Sequence, residues 1–368
     1  MSKNAELAVL ADTPLLLPDQ LAEAAESAVK EILEEAASAN TTRSYASALR
    51  YWAAWFQGRY GRAIELPVPE VAVVQFIVDH IARRSAKGMT WELPESLDAQ
   101  LVRARFKQRP GPLKLSTVVH RIAVLSKAHQ LRRVENPCEQ PPVRHLLARA
   151  RRAANKRGDR PNKKTAITRR ELEALVATCD DSLEGLRDRA LLYFAFASGG
   201  RRRSEVAAAD FADLKRLPEG GFVYRLHFSK TQQAGPNAKS TPDKPVLGVA
   251  GDALAAWISA SGLTEGRIFR RLWNERIGAG LSPAAVAEIV QRRAAKAGLE
   301  GNFAGHSLRS GFVTEGGRQG VALPAIMAMT EHRSVGSVIG YFQAGSVQDN
   351  PAARLLDPTP AAKTSDDG

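Results

Sequence analysis

Cysteine is nearly absent: 368 residues hold two, Cys138 and Cys179, with no paired spacing. That excludes a disulfide framework or a cysteine zinc site and leaves two buried or bystander thiols. Long hydrophobic runs are missing as well. The longest apolar stretch, around Ala190 to Ala197, is far too short to span a bilayer. Glu6, Asp12 and Pro14 stand where a signal peptide stays apolar, so a cytoplasmic protein is expected. Acidic residues are in deficit, 39 Asp and Glu against 52 Lys and Arg, for a net charge of +13. No cluster of carboxylates suits a two-metal centre. The surplus of positive charge attracts a polyanion such as nucleic acid, and less readily an acidic membrane.

The length exceeds one average domain of roughly 100–200 residues, and two are expected. From Asp19 to about Gln130 the pattern is helical. Ala and Leu recur at spacings of three and four from Leu21 to Ala36, and Thr41 or Thr42 is placed to cap a second run. In that run Tyr45, Leu49, Trp52 and Trp55 fall near helical spacing, which reads for the tryptophans as core packing rather than base stacking. Pro67 and Pro69 introduce a third helix, Val71 to Arg84. Residues 87–113, broken by Gly88, Pro94, Pro110, Gly111 and Pro112, read as a long loop with at most one short helix. A fourth helix opens near Ser116, turning Val118, Ile122 and Leu125 inward and leaving His120, Arg121 and Lys127 nearer its polar side. A fifth is expected from Pro142 to Ala154.

Lys and Arg crowd residues 144–170, opposed only by Asp159, and Gly158 and Pro161 make the middle of this stretch a linker. Such a linker lies along a phosphate backbone or serves as a solvated spacer; the charge of the whole chain favours the first. After it, Thr168 and Glu171 form a capping box, with Ile167 able to staple against Leu172, and a second domain begins. Helices are expected over Leu186–Ala197 and from about Arg203. The alternation of Phe222, Tyr224, Leu226 and Phe228 reads as a strand, residues 231–245 as turn and loop, and Val246–Val249 as the return strand. The remainder reads as helical to about Leu356, and no internal repeat is visible.

Three segments carry chemistry. Arg201, Arg202 and Arg203 follow Gly199-Gly200, and Glu205 stands three residues beyond Arg202, where on a helical turn its carboxylate can orient the guanidinium. His306 and Arg309 share the i, i+3 spacing at a helix start, where backbone N–H groups also favour an anion. The third segment runs from Glu331-His332 to Tyr341. Taken singly, each also fits a bland reading: a solvated turn, a structural histidine, a half-buried tyrosine.

Their order, Arg, Lys, His-x-x-Arg, His and then Tyr nine residues later, resembles the tyrosine recombinases or phage integrases, and within them the Cre-like recombinases. Gly200 to Glu205 matches the first arginine box and picks Arg202, Gly185 to Leu192 matches the helix ahead of it, and Gly305-His306-x-x-Arg309 matches the second box. Lys230, in Ser229-Lys230-Thr231, matches the lysine of the family's β-hairpin, with Lys239 and Lys244 as competitors in the following loop. Arg50 to Trp55 resembles the second helix of Cre-like proteins, and Ala353 to Asp357 their C-terminal segment, so the likeness covers residues 40 to 357. Two departures stand out: Glu331 replaces the family's usual Gly, and the 87–113 loop is longer.

The resemblance implies a mainly α protein, with an N-terminal helical DNA-binding bundle and a C-terminal mixed α+β catalytic domain with a small antiparallel sheet, forming a clamp on DNA. The expected segments are a disordered arm (1–18), a core-binding domain (19–155), a basic linker (156–166), a catalytic domain (167–346) and a docking tail (347–368). It implies a site-specific recombinase with Tyr341 as nucleophile, Arg202, Arg309 and His332 on the phosphate, Lys230 as acid, His306 assisting and Glu205 supporting, with no cofactor or metal. Helix faces and charge nominate Arg43, Ser47, Arg50, Ser116, His120, Arg121, Arg151, Arg152, Lys163 and Lys164 as DNA contacts. Expected partners are double-stranded DNA with an inverted-repeat site and three further copies in a homotetramer on two sites, which places the protein at the nucleoid. A catalytically silent architectural DNA-binding protein and a type IB topoisomerase are the alternatives.

Overall fold

The computed structural model describes residues 39–86, 88–159, 164–226, 241–274 and 276–339. The chain divides into two compact units at Pro161/Asn162. The expected helix over Leu21–Ala36 lies outside the described residues.

The first unit contains α1 (Ala39–Tyr60), α2 (Glu70–His80), β1 (Arg83–Ser85), β2 (Gly88–Thr90), α3 (Glu95–Arg103), α4 (Leu115–Arg132) and α5 (Pro141–Lys156). Its core forms where the aromatic face of α1 meets α2. Trp52 and Trp55 are fully buried, Trp52 stacked on Phe76 at 3.8 Å, so both tryptophans are packing residues. Truncating either to Ala costs about 3–5 kcal/mol. Buried polar atoms are matched in pairs: Trp55 Nε1 donates to Asp79 at 2.9 Å, and Tyr51 Oη lies 2.7 Å from His80 Nε2.

Two expectations fail in this unit. The third helix stops at His80, because Ile81 turns extended and bridges Leu113, and the chain then enters a β1–β2 hairpin. The segment expected as a long loop with at most one short helix holds that helix, the nine-residue α3, and also the strand β2. Leu97 and Leu101 of α3 face the core, which supplies the apolar anchor.

The second unit contains α6 (Arg169–Ala177), α7 (Leu183–Ala197), α8 (Arg203–Ala208), β3 (Leu214–Arg216), β4 (Phe222–Arg225), β5 (Asp243–Val246), α9 (Val249–Ser261), β6 (Arg270–Trp273), β7 (Arg276–Gly280), α10 (Pro283–Lys296), α11 (Gly305–Arg318), α12 (Leu323–Thr330) and α13 (Val335–Ile339). The capping box is present: the Thr168 N–H donates to Glu171 at 2.9 Å, and Ile167 and Leu172 are both in the core. Before it, Thr165 and Ile167 donate their N–H groups to Asn302 O and Ser307 O, so this end of the basic stretch is held to the second unit. The helix α7 is the hub, burying Leu191, Leu192 and Phe194 and packing against α9.

Strands β3, β4 and β5 form an antiparallel sheet with Phe222 opposite Val246 and Tyr224 opposite Lys244. The return strand begins earlier than expected, at Asp243, and Val249 instead starts α9 after Gly248 turns the chain at φ 55°. The stretch expected to be all helical contains the β6–β7 hairpin, turned at Asn274 with φ 45°. No helix among the described residues is long and apolar enough to cross a membrane.

Candidate active site

The arginine box begins where α7 ends. Gly200 sits at φ +65°, and a Cβ there would lie 2.5 Å from Arg309 Cα, so glycine lets this turn rest directly on α11. Arg201 then turns inward and is buried, giving Nη2 to Met329 O at 2.5 Å. Arg202 is the extended N-cap of α8 and stays half-buried. Glu205, at the third helical position, accepts from the Arg202 N–H at 3.1 Å and from Arg202 Nη1 at 2.6 Å. Arg201 Nη1 approaches the other carboxylate oxygen at 3.7 Å. Burial alone raises the Glu205 carboxyl, but Arg201 and Arg202 outweigh it and hold the group below its usual value. One carboxylate thus orients two guanidiniums, Arg202 being the more exposed.

The second box lies on α11. His306 is exposed in the first turn, and Arg309, one turn on, points into the protein and is 1% exposed. Arg309 donates Nη1 to Gly200 O at 3.2 Å and Nη2 to Thr330 O.

Arg201 and Arg309 converge on the end of α12, whose last carbonyls lack helical partners. Three of them are taken by cations: Ala328 O by Lys244 Nζ at 2.7 Å, Met329 O by Arg201 and Thr330 O by Arg309. Positive charge is favoured at a helix C-terminus, so the three cations and this helix end stabilise one another. The chain then passes through Glu331 in the left-handed region, φ 57°, and delivers His332.

His332 is buried, with Nε2 3.3 Å from Arg309 Nη2 and Nδ1 2.7 Å from Thr330 Oγ1. Burial, then the charges of Arg309, Arg202 and Arg201, push its pKa down to about 4, so it is neutral near pH 7. Arg202, Glu205, Arg309 and His332 are therefore gathered, with His306 on the same helix as Arg309. This cluster presents fixed N–H donors and positive charge, the equipment for binding a phosphate group. Among the described residues no group of His, Cys, Asp or Glu is arranged to hold a metal ion. Lys230 and Tyr341 lie outside the described residues, as do Lys163 and Lys239.

Sequence reasoning passed over Arg201, and it met Glu331 only as a departure from the family's Gly before His332. Lys244, weighed only as a rival to Lys230, is fully buried and donates to Thr241 O, Ala328 O and Glu331 Oε1. The remaining candidates divide by exposure. Arg43, Ser47, Arg50, Ser116, Arg151 and Arg152 are exposed on their helices, and His120 is exposed with Nε2 2.9 Å from Ser44 Oγ. Lys164 is half-buried and donates to Asn302. Arg121 departs from its expected polar side: its guanidinium lies 3.3 Å from the Tyr51 ring centroid, half-buried in a cation–π contact.

Comparison with known proteins gives this geometry a family. Residues 165–346 match the phage integrase family. An integrase/recombinase xerD homolog of Selenomonas ruminantium is 29% identical over 338 residues, covering 89% of both chains. A tyrosine recombinase XerD of Neisseria meningitidis is 28% identical over 190 residues, covering 50% of this chain and 60% of that protein. In fold the chain is similar to a lambda integrase dimer bound to a COC′ core site, with a TM-score of 0.53, 13% identity and coverage of 88% of this chain and 95% of that one. The chain thus carries a phage integrase family domain and is a homologue of the XerD-like tyrosine recombinases.

Proposed function

We propose that this protein is a site-specific DNA recombinase that cuts and rejoins strands through a covalent 3′-phosphotyrosyl bond to Tyr341. The observation that carries the reading is the pairing of Arg309 with His332 at the end of α12, close enough to Arg202 for its charge to act on the imidazole, inside the family domain. Transfer of a phosphodiester builds negative charge on its nonbridging oxygens. Preorganised guanidiniums meet that charge without reorganising, so the chemistry proceeds without a metal ion or cofactor. Tyr341 attacks phosphorus and the bond to the 5′-oxygen breaks. The phosphotyrosyl ester conserves the energy of the broken linkage, and the 5′-hydroxyl of a second strand reseals it. Lys230 supplies the proton to the departing 5′-oxygen and His306 assists proton transfer. Glu205 holds Arg202 in place.

The partner is double-stranded DNA. Residues 19–155 serve as the core-binding domain, 156–166 as a basic linker along the backbone and 167–346 as the catalytic domain, closing as a clamp on an inverted-repeat site. Four copies act on two sites, each tail of residues 347–368 docking on a neighbour. The lambda integrase structure, a dimer on its core site, supports DNA as the partner.

Tyr341→Phe tests the reading, because it removes one oxygen and hardly alters volume. With a nicked substrate on a denaturing gel, wild-type protein forms a covalent adduct and the variant binds DNA without forming one. An adduct that survives in the variant overturns the assignment.

A further inference from the structure

The turn that delivers His332 is built against the preference of its residue. Glu331 adopts φ 57° and ψ 36°, where glycine is favoured and other residues are strained by roughly 1 kcal/mol. Its side chain is buried, only 4% exposed, and a carboxylate there needs a partner. Lys244 is that partner: its Nζ lies 2.7 Å from Glu331 Oε1, and Thr241 Oγ1 lies 3.3 Å from the same oxygen. Lys244 Nζ also donates to Ala328 O at 2.7 Å, and the one Thr241 hydroxyl proton goes to that carbonyl, likewise at 2.7 Å. Residues 241–244 therefore grip the end of α12 at two points, Ala328 and Glu331. Between them lie Met329 and Thr330, whose carbonyls receive Arg201 and Arg309. All three N–H groups of Lys244 are spent inside the protein, on Thr241 O, Ala328 O and Glu331.

We propose that Lys244 and Glu331 are positioning residues, a buried clip between β5 and the turn after α12 that places the His332 imidazole against Arg309. Its effect on catalysis rests on the strand-transfer reading above; its effect on His332 does not. Burial pushes the Lys244 ammonium down and Glu331 draws it part of the way back, as a retained ion pair requires. An ion pair in this place adds direction that an apolar pair lacks. Two aliphatic side chains of the same size fill the space equally well, but they leave the backbone at Glu331 free to choose among left-handed and extended turns, each sending His332 elsewhere.

The experiment separates packing from positioning. Lys244→Met/Glu331→Gln keeps the volume and removes both charges, a change that commonly leaves stability level or higher. In the full-length variant the expected result is an unchanged or raised melting temperature and unchanged affinity for DNA. The rate of covalent adduct formation at saturating DNA falls by about 10-fold or more, as for a misplaced catalytic group. His332, followed by NMR, titrates in wild type at about 4 and in the variant at a higher pH, nearer the ordinary 6.5, because the loosened imidazole meets water. Lys244→Met alone, which leaves the Glu331 carboxylate without its cation, gives the same shift together with a lower melting temperature. A double variant with wild-type adduct rate and an unmoved His332 titration overturns the proposal. If wild-type protein forms no adduct on any DNA, the strand-transfer reading fails, and the His332 titration still decides whether the clip positions the imidazole.

Discussion

Arg309 Nη2 meets His332 Nε2 at 3.3 Å, and because a guanidinium can only donate, the imidazole accepts through that nitrogen. Neutral His332 then carries its proton on Nδ1, which donates to Thr330 Oγ1 at 2.7 Å, while the Thr330 hydroxyl donates to Ile326 O at 2.7 Å. The tautomer follows from this chain of donors. In the absence of DNA the imidazole is thus a brace for Arg309. For His332 to donate to a phosphate from Nε2, a proton must first reach that nitrogen.

The protonation state of His332 has a consequence for stability. Its folded pKa, about 4, lies below the ordinary 6.5, and that of His80 in the first unit is pushed down by burial to about 3. Well above pH 6.5 both rings are neutral folded or unfolded and contribute no pH dependence. As pH falls from 6.5, the unfolded chain takes up protons that the folded chain refuses, so stability is lost down to about pH 4 for His332 and about 3 for His80. Urea midpoints measured from pH 7.5 to 4.5 are expected to fall with acidity, less steeply in His332→Leu. A flat profile in wild type contradicts the assignment of buried neutral histidines.

The two arginines of the site differ in what else they hold. Arg202 is half-buried, and Glu205 keeps Arg201 nearby when Arg202 is removed. Arg202→Ala is therefore expected to fold normally and to slow strand cleavage by about 10²-fold or more. Arg309 bonds Gly200 O and Thr330 O, so Arg309→Ala is expected both to abolish cleavage and to cost about 3 kcal/mol of stability. Melting curves beside single-turnover rates check the contrast; equal stability loss in the two variants counts against it.

Much of this could be seen in the sequence where the cause is local. Arg202 and Glu205 pair because they stand three apart at a helix start, and the Thr168–Glu171 box closes for the same reason. Trp52 and Trp55 follow helical spacing into the core. What was hidden depends on distant partners. Lys244 and Glu331 are 87 residues apart, and neither has a local pattern that announces the pair. The β1–β2 and β6–β7 hairpins use three to five residues with little alternation, so only their pairing marks them as strands. Arg121 looks like a polar-face residue until Tyr51, on another helix, offers its ring.

Gly311 of α11 touches the chain entering the second unit: a Cβ there would lie 1.6 Å from Ile167 O. The backbone of residue 167 is fixed by its bond to Ser307 O and cannot retreat. Gly311→Ala is expected to destabilise the second unit by about 3 kcal/mol, the upper part of the range for overpacking. Calorimetry on the full chain checks this, and an unchanged melting temperature would mean that the contact yields.

Arg151 and Arg152 are exposed on α5, in the basic stretch. If they neutralise phosphates, Arg151→Ala/Arg152→Ala weakens binding to any DNA sequence and lowers the salt slope, log Kd against log salt, by about 2. Fluorescence anisotropy on unrelated duplexes from 50 to about 300 mM salt measures it. An unaltered slope assigns these arginines to solvent.

The carbonyls that end α12 take their cations from residues 128, 84 and 21 positions away. Local structure alone assembles none of this: a chain emerging from the ribosome reaches residue 201 long before residue 329 exists, and until the intervening loops close, each guanidinium remains in water. The phosphate-binding geometry therefore arrives together with the completed second unit. A nascent or half-folded chain already carries the positive charge, yet it holds none of this arrangement.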